Sequence, residues 1–163
     1  MQDTRQESVD KLKGLIEGID FCMLTTIDRG HLRSRPMSTQ EFEFDGDLWF
    51  FTSDNTHKVE EISKDNRVNV SYSKPGDDTY VSVSGRTEVV KDREKIEKYW
   101  SPVLKAWFPE GMDDSHLCLL RVAVEQAEYW DVPSGKIVQL IGFVKALATG
   151  QEASYGENKK IDF

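Results

Sequence analysis

Residues 45–53 read DGDLWFFTS, and this stretch indicates the fold class. Asp45-Gly46 is a strong signal for a tight turn between two strands. The run Leu48-Trp49-Phe50-Phe51 that follows has the aromatic content of a buried strand, and Thr52-Ser53 ends it. Because adjacent residues of a strand point to opposite sides, and large rings are usually buried, we predict that these aromatic side chains belong to the core.

Further extended segments lie on both sides of this strand. They are Phe21–Ile27, His31–Phe44, Arg67–Ser73, Tyr80–Val90 with a predicted bulge at Gly85, Leu117–Val124 and a short segment Glu128–Asp131. Helical patterns occupy Val9–Ile19, the residues after an N-cap at Asn55 or Thr56, a stretch from about Asp92, and Ile137–Ala148. Strands in succession with helices between some of them predict a mainly β fold, in which a mostly antiparallel sheet forms a barrel with peripheral helices.

Length and composition limit the possible classes of protein. The chain has 163 residues, which predicts one domain over 1–163 with a polar C-terminal tail over about 150–163. Lys plus Arg number 21 against 29 Asp plus Glu, and the net charge of −8 disfavours binding to nucleic acid or to an anionic membrane. No apolar run approaches the roughly 18 residues of a membrane span, and the polar N-terminus does not resemble a secretory signal, so we expect a cytoplasmic protein.

The cysteines and histidines do not form a recognisable metal-binding pattern. Cys22 and Cys118 lie far apart, each inside an apolar run, and are predicted to be buried core thiols in a reducing compartment. His31, His57 and His116 lack the spacing of zinc or other metal ligands. We therefore predict that the protein binds no metal.

Basic and hydroxyl residues form a candidate anion site in this acidic chain. Arg33 and Arg35 lie on a predicted strand, where a period of two places both on one face with Met37. Thr52-Ser53 end the aromatic strand, and His57-Lys58 begin a predicted helix, where backbone N–H groups and the helix dipole favour an anion. Together these residues suit a phosphate monoester.

A simpler interpretation of the same residues stays open. Arg33 and Arg35 could line a solvated face and pair with some of the many acidic residues, while His57 and Lys58 could be ordinary surface residues in the first turn of a helix. Surface ion pairs are common and contribute little to stability. Residue spacing alone does not decide between the two interpretations.

Motifs along most of the chain resemble the FMN-binding split barrels of the pyridoxamine 5'-phosphate oxidase-like family, and within them the general stress protein 26-like group. The motifs are Arg33-Ser34-Arg35-Pro36-Met37, Leu48–Ser53, His57-Lys58, Tyr80–Gly85, Trp107-Phe108-Pro109 with Asp113-Asp114, and Tyr129-Trp130-Asp131. They occur in consistent order between about Val9 and Leu147. The resemblance implies a six-stranded antiparallel split β-barrel and a homodimer with two FMN sites at the subunit interface.

The resemblance assigns roles to the phosphate side of each site. It implies that Arg35 and Lys58 bind the FMN phosphate, and His57 occupies a position that is often a second cation. Thr52 and Ser53 are implied to contact the phosphate or the ring. No acid–base residue stands out in the sequence, so the catalytic residues stay unassigned.

Other residues are implied to contact the flavin ring. Backbone groups from Pro36 to Ser38 meet the isoalloxazine edge, and Trp130 packs near the flavin from the partner side. Tyr80 lies at the position where the oxidases place a polar residue on the flavin. Trp107 and Trp130 lie in settings typical of either a pocket or the core. The full predicted cofactor-binding set is Arg33, Arg35, Pro36, Met37, Ser38, Thr52, Ser53, His57, Lys58, Tyr80, Trp107 and Trp130.

One departure from the family pattern bears on activity. In the true oxidases, basic residues downstream of the Trp130 position help to hold flavin and substrate phosphate, whereas residues 131–140 here contain one Lys and no Arg or His. The sequence therefore argues against pyridoxal phosphate synthesis. It predicts an FMN-dependent oxidoreductase of unknown substrate; the alternatives are a non-catalytic flavin-binding or sensing protein, or a split barrel that binds a deazaflavin or haem.

Overall fold

The structure is a computed structural model that describes residues 4–39, 44–132, 144–150 and 156–163. Six strands form a curled antiparallel sheet in the order β2-β1-β4-β5-β6-β3. Their bounds are β1 Phe21–Asp28, β2 His31–Ser38, β3 Asp47–Ser53, β4 Arg67–Lys74, β5 Thr79–Val90 and β6 Leu117–Asp131. The prediction of a mainly β, split-barrel fold with peripheral helices is confirmed. β2 and β3 are the two ends of the sheet, and the split lies between them.

The β1–β2 hairpin depends on a tight turn at Arg29-Gly30. Both residues have positive φ, 51° and 82° respectively. A two-residue turn of this kind has a backbone twist that matches the right-handed twist of the two strands that it joins. Cα pairing then runs without interruption from Asp28 opposite His31 to Phe21 opposite Ser38. The turn fixes the register, and the register decides which side chains of β2 enter the barrel.

The sheet bulges beside Gly85 as predicted, but the extra residue, Glu125, lies on β6 rather than on β5, because Ser84 pairs with Gln126 and Gly85 pairs with Val124. The pairing of β5 with β6 shifts register between Ser84 and Gly85. A Cβ on Gly85 would lie 2.2 Å from the backbone carbonyl oxygen of Ala123. Glycine is therefore required here because the two backbones approach each other too closely for any side chain.

We expect Gly85→Ala to lower the free energy of unfolding by about 1–3 kcal/mol, because a backbone carbonyl cannot rotate away from the added methyl group. Urea unfolding followed by tryptophan fluorescence measures the change. Gly76→Ala is the matched control, since a Cβ there meets nothing within 4 Å. Its effect should stay within about 0.5 kcal/mol. Equal effects at the two positions would contradict the close approach at Gly85.

Helices α1 Arg5–Ile16, α2 His57–Lys64 and α3 Arg93–Tyr99 pack around the sheet. α1 begins with a capping box in which Thr4 and Glu7 satisfy each other's backbone N–H groups. Its buried residues, Val9 and Leu12 among them, pack into the main core. α2 begins at His57, after the N-cap Thr56, so the two basic residues lie in its first turn as predicted.

The hydrophobic core has two parts on opposite sides of β3. Phe50 packs in the main core inside the curled sheet. Trp49 and Phe51 point the other way, into a second cluster beneath α3 and the 3-10 turns Pro102–Ala106 and Gly111–Asp113. The prediction that the three aromatic residues belong to the core is confirmed.

The two cysteines are free and buried, as predicted. Burial raises the pKa of the Cys22 thiol to about 12 and that of the Cys118 thiol to about 11. Both thiols therefore stay protonated near neutral pH and pack as small apolar groups.

The C-terminal part of the sheet differs from the prediction. The segment Glu128–Asp131 is not a separate element, because it continues β6 without a break. The predicted polar tail contains a seventh strand, β7 Glu157–Asp162, which pairs with the second half of β6. The predicted helix over Ile137–Ala148 falls partly outside the described residues, which are helical over 144–149. The predicted second strand ends early, at Ser38, and 40–43 also lie outside the described residues.

Among the residues described, no helix is both long enough and apolar enough to cross a membrane.

Candidate functional site

Three of the four predicted basic residues, Arg33, Arg35 and Lys58, meet on the inner face of the sheet, beside the split between β2 and β3. Arg33 and Arg35 project from β2 to the same side, as the period of two predicts, and both contact Glu61 of α2. Lys58 lies one helical turn before Glu61 and therefore shares its helix face. We call Arg33, Arg35 and Lys58 the basic cluster.

Glu61 lies at the centre of this arrangement, and its side chain is only 5% exposed. Its Oε2 accepts a hydrogen bond from Arg35 Nη2 at 2.7 Å and another from the Thr26 hydroxyl at 2.5 Å. Its Oε1 accepts from Arg33 Nη1 at 2.5 Å. Burial alone would raise the pKa of Glu61, but the Thr26 hydrogen bond and the two guanidinium charges outweigh burial and lower the pKa. The carboxylate is therefore ionised near neutral pH.

Lys58 reaches from α2 to the end of β3. Its Nζ donates to Thr52 Oγ1 at 2.9 Å, and Thr52 is buried. Burial lowers the pKa of Lys58, and the nearby charge of Arg35 lowers it further. In the part of the chain that the structure describes, no carboxylate lies within 4.0 Å of this ammonium group. Glu61 acts on Lys58 only through its nearby charge. A half-buried lysine with no described carboxylate in direct contact is a setting that an anion would stabilise.

The start of α2 adds backbone donors to the same place. The side chain of the N-cap residue Thr56 does not cap the helix. Its hydroxyl donates instead to the carbonyl oxygen of Ser53 at 2.9 Å, which ties the end of β3 to the start of the helix. The first N–H groups of α2 are thus not satisfied by an N-cap side chain, and the helix dipole adds partial positive charge.

The formal charges at this site leave an excess of positive charge. Arg33 contacts two carboxylates, Asp28 at 3.5 Å and Glu61 at 2.5 Å, and its side chain is half exposed. Arg35 contacts only Glu61 among the described carboxylates, and its side chain is 18% exposed. The three cations of the basic cluster face two carboxylates, Asp28 and Glu61, which leaves one formal positive charge. This charge lies on the side of the cluster where Arg35 and Lys58 are close to each other. Arg33 thus fits the simpler ion-pair interpretation better than its two neighbours do.

The remaining predicted residues lie elsewhere. Ser53 pairs with Leu117 and points to the side of the second cluster. Tyr80 and Trp130 pair directly across β5 and β6, 43% and 41% exposed, on the outer face of the sheet. Pro36 and Ser38 share that face, whereas Met37 points inward and packs in the main core. His57 is exposed at the start of α2.

Trp107 is not brought to the basic cluster. It follows the 3-10 turn Pro102–Ala106 and is 54% exposed. That turn covers the side of β3 from which Trp49 and Phe51 project, whereas Thr52 points to the opposite side. Its predicted contact with a cofactor stays a prediction.

Sequence reasoning missed two residues of the site, Thr26 and Glu61. Thr26 follows Cys22 and Leu24 at intervals of two, so the alternation of β1 could have placed it on the inner face. Glu61 carries no such signal, because it stands beside Glu60 in a short polar helix and only the packing of α2 on the sheet distinguishes the two.

The comparisons with known proteins agree with this fold. A family model described as "Pyridoxamine 5'-phosphate oxidase like" matches residues 7–154. The chain belongs to this family. The general stress protein 26 of Bacillus subtilis is 34% identical over 128 residues, which cover 76% of this chain and 86% of that protein.

Solved structures give the same result. A protein described as general stress protein 26 from Jannaschia sp. CCS1 is 26% identical with a TM-score of 0.77, over 97% of this chain and 99% of that chain. The general stress FMN/FAD binding protein of Xanthomonas citri is 28% identical with a TM-score of 0.67, over 80% of this chain and 92% of that chain. The predicted resemblance to the general stress protein 26-like group is confirmed.

Proposed function

We propose that this chain is an FMN-binding flavoprotein of the general stress type, and that it acts as an oxidoreductase on a substrate still to be identified. The observation that carries the proposal is the contact between Lys58 Nζ and Thr52 Oγ1, 2.9 Å, beside Arg35 and the start of α2. The name of the Xanthomonas citri relative, which includes both FMN and FAD, supports a flavin. One domain over 1–163 and a cytoplasmic location remain part of the proposal.

The donors at this site fit a phosphate monoester. A phosphate offers several strong acceptor oxygens and close to two negative charges at neutral pH. Arg35 would bind it with a planar fork of N–H groups, and Lys58 with a compact ammonium charge. The Thr52 hydroxyl and the first N–H groups of α2 complete the donor set, whereas the Ser53 side chain follows the alternation of β3 to the side of Phe51 and Leu117. When bound, the flavin supplies the redox chemistry, while the chain holds its phosphate and orients its ring.

The outer face of the sheet supports a homodimer. We define this face by the side chains that point away from the main core on β1, β2, β4, β5 and the second half of β6. It carries apolar residues, notably Phe21 and Met23, and hydroxyl residues such as Ser71 and Ser82. Arg67, Arg86 and Glu128 also lie on this face. In a chain with 31% charged residues, the apolar and hydroxyl-bearing part around Met23 fits the core of an interface. We propose a second copy of the chain as its partner, with Tyr80 and Trp130 close to the flavin ring.

A non-catalytic flavin-binding protein is the second candidate. The observation in its favour is that residues 131–140 lack the Arg and His that would help to hold a substrate phosphate. The basic cluster favours a phosphate-bearing flavin over haem, and it suits both candidates equally. Turnover, rather than binding, separates them.

Purified full-length protein mixed with FMN tests the proposal. We expect FMN fluorescence to be quenched and the flavin absorbance band to stay with the protein through gel filtration. FAD and riboflavin serve as comparison ligands, and FMN should bind most tightly. Loss of all flavin on the column would contradict the proposal.

Reduction of the bound flavin separates the two candidates. Bleaching of bound FMN by NADH or NADPH in the absence of oxygen would support the oxidoreductase, and bound flavin that no donor reduces would favour the second candidate.

A further inference from the structure

Arg35 is held by a closed ring of hydrogen bonds. Its Nη1 donates to Thr26 Oγ1 at 2.7 Å, and its Nη2 donates to Glu61 Oε2 at 2.7 Å. The ring closes because the Thr26 hydroxyl donates to the same Glu61 oxygen at 2.5 Å. Two separate N–H groups of one guanidinium are thus engaged on the same side, which fixes both the position and the plane of the group.

The partners of Arg35 are themselves rigidly placed. Thr26 is fully buried in the middle of the inner face of β1, and Glu61 is 5% exposed on α2. Glu61 also accepts a hydrogen bond from Arg33, which stands two residues before Arg35 on β2. Elements from three parts of the sequence therefore meet at one carboxylate. The N–H groups of Arg35 that this ring does not use remain for a ligand, because a guanidinium has five donors.

We propose that Thr26 and Glu61 are positioning residues that hold Arg35 in the orientation in which it receives the flavin phosphate. The inference rests on the proposed function and adds to it two residues that contact Arg35 rather than the cofactor. An arginine side chain that is free to rotate must be immobilised when the ligand binds, and that immobilisation reduces affinity. The ring of hydrogen bonds immobilises Arg35 before the ligand arrives.

The charge of Glu61 makes the opposite outcome physically possible, so the sign of the effect is a real test. A carboxylate repels a phosphate, and removing it adds one positive charge to the site. If charge dominates, Glu61→Gln binds FMN more tightly than the unaltered protein does. If positioning dominates, the same substitution binds FMN more weakly. Thr26→Val separates the two effects, because it breaks the ring without changing any charge.

The experiment measures the dissociation constants of FMN and riboflavin for the full-length protein and for Thr26→Val, Thr26→Ser and Glu61→Gln. We expect Thr26→Val and Glu61→Gln to lower FMN affinity by about three- to tenfold, the effect of leaving one long side chain mobile, and to leave riboflavin affinity within about twofold. Thr26→Ser keeps the hydroxyl and should retain FMN affinity. A purely structural role would instead lower the affinities for both ligands together.

Each other outcome overturns the inference. Tighter FMN binding in Glu61→Gln would show that the repulsion between the carboxylate and the phosphate outweighs positioning, and unchanged binding would show that positioning by Glu61 gives no net gain in affinity. A loss of FMN affinity at only one of positions 26 and 61 would contradict a ring of hydrogen bonds in which both residues hold Arg35. An equal loss of FMN affinity in Thr26→Ser and Thr26→Val would also contradict it, because serine keeps the hydroxyl. If Glu61→Gln does not fold, the comparison of Thr26→Val with Thr26→Ser decides alone. Failure of the proposed function is distinct, because the unaltered protein would then bind FMN no better than riboflavin.

Discussion

Lys58→Met should weaken FMN binding by roughly 10- to 150-fold, because a hydrogen bond to a charged group contributes about 1.5–3 kcal/mol. Methionine keeps the length and apolar character of the lysine stem, so the half-buried chain still packs against its neighbours. Only the ammonium group that contacts Thr52 is removed. Riboflavin lacks the phosphate, and its affinity should change by less than about threefold. Fluorescence quenching titrations of both flavins at fixed salt measure the two constants.

Lys64→Met is the matched control for this substitution. Lys64 lies on the same helix, in its last turn, and pairs with Glu60 at 3.0 Å on the exposed side. Its removal changes the net charge of the protein by the same amount as the loss of Lys58. We expect FMN affinity to change by less than about twofold, because Lys64 is exposed and lies about 9 Å further along the helix axis than Lys58, so salt screens much of its charge. If both substitutions weaken FMN equally, or if Lys58→Met weakens riboflavin as much as FMN, the phosphate lies elsewhere.

The fold could be predicted from the sequence wherever side chains alternate clearly. β5 shows why: Val81 and Val83 point to the core while Ser82 and Ser84 point away, and the pattern is visible in the residue types. The same alternation placed Arg33 and Arg35 together on one face. Where both the periodicity and the turn residues agree with the tertiary structure, the local sequence is sufficient to predict a strand and the side to which each of its residues points.

β7 shows where this reasoning fails. Its sequence, Glu157–Asp162, reads ENKKID and contains one apolar residue, Ile161, which is the residue that the core buries. The strand pairs with β6, whose second half offers backbone hydrogen bonds over 126–131. Backbone pairing does not depend on side-chain type, so the polar composition predicted a tail. Glu61 was missed for a related reason, because only the packing of α2 decides which acid of the Glu60-Glu61 pair is buried.

Met23→Glu should convert the proposed homodimer to monomers and abolish the retention of FMN on gel filtration. Met23 is 40% exposed on the outer face, next to Pro36 and Ser71 on the neighbouring strands. In a monomer a glutamate at this position stays in water. In the dimer it would be buried without a charged partner, which costs about 3–5 kcal/mol and weakens association by at least about 100-fold. Light scattering at micromolar protein concentration measures the mass with and without FMN.

Val103→Glu provides the control for this last substitution. Val103 is another exposed apolar residue, 65% exposed, but it lies on the 3-10 turn beside α3 rather than on the outer face. The same change in charge and residue type should therefore leave both the mass and FMN retention unaltered. A dimer that survives Met23→Glu would place the interface on another surface. Monomers that still retain FMN would mean that one subunit holds the cofactor by itself, and would contradict a contact between Tyr80 or Trp130 and the flavin of the partner subunit.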